Sequence, residues 1–150
     1  MARYDTSTIN CTGEVDISGG FTAVNGSLNI ENSSKVNIYT NCAAAVNYDA
    51  TITSKGDVTI ESTDGRAAKN LTINNADNVT VIINDTRAIS ENTKITASGT
   101  VTLKNKAQGG RVGAVDFTPA DGKKNYVYYT SEGADEGAID ANVKIGRAHV

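Results

Sequence analysis

Five apolar anchors recur along the chain: Ile9, Ile30, Ile52, Ile73 and Ile95 stand 21 or 22 residues apart. A second column (Val15, Val36, Val58, Val79, Val101) and a third (Ile17, Ile38, Ile60, Val81, Leu103) keep that spacing. A fourth holds Ala23, Ala45, Ala67 and Ala88, followed by Val24, Val46, Ala68 and Ile89. Between the first two columns stand Gly13, Ser34, Gly56, Asp77 and Gly99. Glycine and aspartate there suit a sharp turn, because they tolerate positive φ. Four columns in register predict a stacked repeat architecture.

Within each unit the period is two, as in Val58-Thr-Ile60, with Thr, Asn or Asp between apolar residues. That is strand alternation, one side chain in and the next out. No stretch carries a helical period, and so much Thr, Val, Ile, Asn and Gly opposes helix. The chain therefore reads as all-β. Each unit has room for three short strands, which pair with the units above and below at about 4.8 Å. The prediction is a right-handed parallel β-helix (a β-solenoid) of about five rungs of 21–22 residues. The hexapeptide repeat of left-handed solenoids is absent. A barrel or sandwich of hairpins predicts variable spacings and Asn-Gly turns instead.

A single rung is not stable alone. Its few inward side chains contribute about 1.5–3 kcal/mol each, and ordering its backbone costs about 1–2 kcal/mol per residue. Stacking supplies the remaining contacts, so the rungs should fold as one block. Aromatics make up 5% of the 150 residues and there is no Trp, so the core must be a thin column of Ile, Val, Leu and Ala. Rungs are expected over 1–115 and a β-rich capping segment over 116–144. Within that scheme Gly113–Val115 supplies a displaced third strand, and Tyr126–Tyr129 a strand of the cap. Residues 145–150, Ile-Gly-Arg-Ala-His-Val, match the translation of a common sequencing adapter and are read as non-native read-through.

A net charge of −3 without a basic stripe argues against nucleic acid as a partner. No apolar run approaches membrane-spanning length. Cys11 and Cys42 fall in different columns and are expected as free thiols. The N-terminus lacks the basic-plus-apolar pattern of a secretion signal, and the chain reads as a fragment of a longer protein.

The only histidine, His149, lies in the read-through tail. The rest of the chain therefore lacks the residues for Ser-His-Asp or Cys-His catalysis and for the commonest zinc sites. No catalytic residue, metal site or cofactor is expected. One polar constellation stands out. Asp64-x-Arg66 and Asp85-x-Arg87 occupy the same columns 21 residues apart. Stacking would gather two carboxylates and two guanidiniums into one patch, able to bind sugar hydroxyls or uronate carboxylates or to neutralise itself as an ion-pair ladder. Tyr126 and Tyr128 share a strand face and can stack on sugar rings. Thr51, Thr53, Thr72 and Asn74 give a flat polar array of the kind some β-solenoids use to bind ice, interrupted by Asn29, Glu31 and Lys94.

The Val-x-Ile rungs, the Gly-Asp turns and the closing Phe117-Thr-Pro-Ala-Asp-Gly122 and Tyr126-Val-Tyr-Tyr129 segments resemble a family. They are similar to repetitive surface proteins of anaerobic Gram-positive gut bacteria, often described as carbohydrate-binding-domain-containing, with a right-handed β-helix of the pectate-lyase superfold. The resemblance covers about Thr6–Lys144. It implies an extracellular or cell-surface module whose partner is a polysaccharide or a host or cell-surface glycan. The expected function is non-catalytic adhesion or glycan binding. The alternatives are a fragment of a polysaccharide lyase or glycosidase, and a structural spacer. Tight turns leave little wall for a catalytic cleft, so the reading leans away from an enzyme.

Overall fold

The computed structural model describes residues 5–107, with two further strands at 115–119 and 126–131. The described residues hold no helix, and the chain is a parallel β-solenoid of about five turns. Each of the first five rungs contributes two strands. These are β1 (Thr6–Asn10) and β2 (Glu14–Gly19), β3 (Ser27–Ser33) and β4 (Lys35–Thr40), β5 (Asp49–Ser54) and β6 (Val58–Ser62), β7 (Asn70–Ala76) and β8 (Val79–Ile83), β9 (Asn92–Ala97) and β10 (Thr100–Asn105). Odd-numbered strands form one sheet and even-numbered strands the other, every neighbour parallel. Registers such as Ile52↔Ile73 and Val58↔Val79 reproduce the sequence columns.

The segment expected as a cap continues both ladders. β11 (Val115–Pro119) lies beside β9 with Phe117 opposite Ile95, and β12 (Tyr126–Ser131) lies beside β10 with Val127 opposite Val101. Val115, expected in a displaced third strand, opens β11 instead and is buried. Residues 145–150, expected as non-native read-through, and Gly113 lie outside the described residues.

The core is the predicted column. Ile30, Ile52, Ile73, Val36, Val58, Val79, Val101 and Leu103 are fully buried. Ile9 and Ile17, in the first rung, pack against that core but stay partly exposed. Thr93 takes an inward apolar position and is buried, its hydroxyl held by Ser90.

Among the described residues the third run of a rung forms no regular strand, and its ladder pairing there is the isolated bridge Val24↔Val46. Backbone bonds still tie the rungs together there: Ala45 N donates to Arg66 O and Val46 N to Ala67 O, both at 2.9 Å, and Ala67 N to Ile89 O at 3.0 Å. Two or three small residues between corners are too few to hold an alternating strand. The outcome is two sheets and an irregular third face.

The corner glycines also act differently from the positive-φ expectation. Positive φ falls on Asn32 (65°) and Asn75 (59°), where the first sheet shifts register. Gly56 instead allows close approach, since a Cβ there would stand 1.9 Å from the Ser34 carbonyl oxygen. Polar ladders line the outside. Asn70 donates to Asp49 at 2.8 Å and Asn92 to Asn70 at 3.0 Å, one bond per rung.

Candidate functional site

The Asp-x-Arg motifs occupy the corner that follows the second sheet. β6 ends at Ser62 and β8 at Ile83, so Asp64 and Asp85 fall just beyond the strand ends in successive rungs. Two buried side chains set the corner's shape. The Ser62 hydroxyl donates to Ala43 O at 2.6 Å. Asn105, on β10 and fully buried, holds the turn above it from below. Its Nδ2 donates to Asp85 O (2.8 Å) and Arg87 O (3.0 Å), and its Oδ1 accepts from Asp85 N (3.3 Å) and Ala107 N (3.1 Å).

Arg87 folds back on its own rung. Its Nε donates to Asp85 Oδ1 at 3.1 Å, its Nη2 to Oδ2 at 2.9 Å, and its backbone N to Oδ1 at 2.7 Å. This fork-on-carboxylate pairing is the strong, orienting kind. Arg66, only 17% exposed, lies 3.8 Å from Glu91, too far for a hydrogen bond. Acidic and basic columns are joined in rung four by the Arg87–Asp85 pair, and the clefts beside that pair are lined differently. Asp64 and Asp85 line one cleft of about 300 Å³ with Asn84, Thr86 and Ala107. Arg66 and Arg87 line a second of about 210 Å³ with Ala88, Ser90 and Glu91. Sequence reasoning missed Glu91 and Asn105. Glu91 shares its column with Tyr48 and Lys69, so the repeat carries no acidic signal there.

Burial pulls the Asp85 carboxyl up, but the hydrogen bonds from the Arg87 side chain and backbone, with the charges of Arg87 and Arg66, outweigh it. The group titrates below the ordinary aspartate range. The same bond holds Arg87 above its ordinary value. A depressed folded-state pKa adds stability that is present above the unfolded pKa and lost as pH falls through the folded one. Asp85→Asn is accordingly expected to flatten the loss of melting temperature below about pH 4, with little change at pH 7 beyond the lost ion pair. Thermal melts of both proteins from neutral to acid pH read this directly.

Tyr126 and Tyr128 lie on β12, separated from β6 by β8 and β10. By register Tyr128 continues the column of Thr80 and Thr102. By strand order the two tyrosines stand on the strand next to β10, two strands from β8, whose end leads into Asp85 and Arg87. Thr51, Thr72 and Lys94 stack in register on the first sheet, where Asn70, Leu71, Thr72, Asn92 and Lys94 line a further cleft of about 310 Å³. Cys11 and Cys42 are free thiols. Among the described residues no group of three or more His, Cys, Asp or Glu side chains is placed to hold a metal ion. No helix among them is long and apolar enough to cross a membrane.

Fold and corner together define a parallel β-solenoid with paired acidic and basic clefts on one edge. Comparison with known proteins finds no matching family model, no matching curated protein and no matching solved structure.

Proposed function

We propose that this chain is a non-catalytic glycan-binding module of a secreted or cell-surface bacterial adhesin. The reading rests on one observation. The corner after the second sheet offers carboxylates, an amide, hydroxyls and guanidiniums side by side in two clefts, held by a buried asparagine. Such groups match the donors and acceptors of sugar hydroxyls and of uronate carboxylates. The depressed Asp85 pKa supports binding rather than proton donation, since this carboxylate is charged at neutral pH and hydrogen-bonded to Arg87. The resemblance to repetitive surface proteins adds the extracellular setting and the glycan partner.

The test is a glycan array with the native chain, followed by titration of the best ligand against Arg66→Ala/Arg87→Ala. Binding should weaken on the order of tenfold or more, as expected for losing two charged hydrogen-bonding groups. Some thermal stability should be lost as well, because Arg66 and the Asp85 carboxylate left without its partner are largely shielded, at 17% and 10% exposed, so binding is compared at a temperature where both chains are folded. Turnover of a uronate polymer that the double variant abolishes would move the chain to the lyase reading. Absence of any glycan binding at millimolar concentration would leave a structural spacer.

A further inference from the structure

Among the described residues, Phe21 and Tyr39 are the large apolar side chains left exposed, at 70% and 42%. They emerge from adjacent rungs at one end of the second sheet. Phe21 follows β2 through Gly19 and Gly20, and Tyr39 is the penultimate residue of β4. The neighbouring Thr40 hydroxyl donates to Gly19 O at 3.1 Å and Phe21 O at 2.7 Å. The turn that carries Phe21 is thereby clamped to the strand that carries Tyr39. A Cβ on Gly19 would meet Thr22 O at 2.3 Å, whereas one on Gly20 would meet nothing within 4 Å. The turn is tight at its base and open at its tip.

The repeat extends this platform along the solenoid. Phe21 shares its column with Ala43, Gly65 and Thr86, and Thr22 shares its column with Ala44, Arg66 and Arg87. By column the corner therefore runs from Phe21 past Ala43, Ala44 and Gly65 to the paired Asp and Arg clefts, while Tyr39 stands beside its first two rungs on the outer face of β4. No side chain fits at Gly65, where a Cβ would lie 2.4 Å from the Ala43 carbonyl carbon. From the first rung to the fourth the corner spans about 14 Å, three strand spacings.

We propose that the Phe21–Tyr39 pair is a stacking subsite for the C–H face of a neutral pyranose ring, belonging to a glycan chain that lies along this corner parallel to the solenoid axis. The proposal rests on the glycan-binding reading and adds a subsite and a direction to it. The surroundings favour a sugar over a protein partner. Ser18 and Glu61 flank Tyr39 in register on the same face, giving a hydroxyl and a carboxylate that bond sugar hydroxyls. Two rings amid polar and small residues fall short of the contiguous apolar area that marks protein docking. The Glu61 carboxylate also opposes an acidic sugar at this end.

The experiment is a ¹⁵N NMR titration of the full chain with cellohexaose, mannohexaose and xylohexaose, and with hexagalacturonate as the acidic counterpart. At least one neutral hexasaccharide is expected to shift amides around 19–22 and 39–44 together with those around 64–66. Phe21→Ala/Tyr39→Ala should weaken that binding on the order of tenfold, as expected for losing two ring contacts, and Tyr39→Phe should retain it. Unchanged affinity in the double alanine variant overturns the proposal, as does binding confined to hexagalacturonate. If Arg66→Ala/Arg87→Ala abolishes binding while the aromatic variant does not, the glycan-binding function stands and the platform falls. If none of the four saccharides binds, this proposal fails. A change of oligomeric state in the aromatic variant, read by light scattering, would mark a protein interface and overturn it too.

Discussion

Asn105→Ala is expected to destabilise the solenoid by about 3 kcal/mol or more, read as a lower urea midpoint at constant slope. Asn105 is fully buried and its amide serves four backbone groups: the carbonyls of Asp85 and Arg87 and the N–H groups of Asp85 and Ala107. Alanine leaves those buried and part-buried groups without the amide. Each buried donor or acceptor stranded in this way costs about 1–3 kcal/mol, and partial relaxation recovers some of it. Asn105→Asp should be at least as damaging, because it removes both Nδ2 donors and buries a charge. The change should also loosen the Asp85–Arg87 turn and weaken any ligand held there. A loss below about 1 kcal/mol would mean that backbone bonds hold this corner without the amide.

Ile52→Ala is the second large effect. Ile52 stands in the middle of the first sheet's inward column, fully buried between Ile30 and Ile73. Truncation removes its contacts with both neighbours and leaves a cavity in the core between the two sheets. Substitutions of this kind cost about 2–5 kcal/mol. A stacked β-ladder adjusts poorly, since each strand's position is set by hydrogen bonds to the rungs above and below, so the upper part of that range is expected. Equilibrium denaturation should show a single transition, because the rungs form one continuous core. Two separated transitions would show instead that the middle rung is a boundary between independently folding halves. Ile9→Ala should cost less, its side chain being only partly buried in the first rung.

The architecture was legible because it is written in periods. Alternation of two places Val58 and Ile60 inward with Thr59 between them, whatever the rest of the chain does. The 21–22-residue spacing then brings Ile30, Ile52 and Ile73 into one column. Each such position is repeated, and repetition averages out the noise that defeats a single-position reading. The Asp-x-Arg pairs were visible for the same reason, since they break the pattern of their own columns in two successive rungs.

Sequence by itself determined the strand faces, the stacked registers, the inward column and the place of the Asp-x-Arg pairs on one corner. Only the tertiary structure decided where the long side chains turn. Arg87 closes on Asp85 within its own rung, and Arg66 leans toward Glu91, because a flexible guanidinium stem takes whichever carboxylate the packed backbone leaves in reach. The structure also decided that the third run would stay irregular, and that Asn32 and Asn75 rather than the corner glycines would take positive φ. It decided that the closing segment would extend both sheets. Apart from the Arg87–Asp85 bond, made within one rung, these outcomes depend on distances between residues about twenty positions apart, set by how rungs stack. Local periodicity carries no such distances.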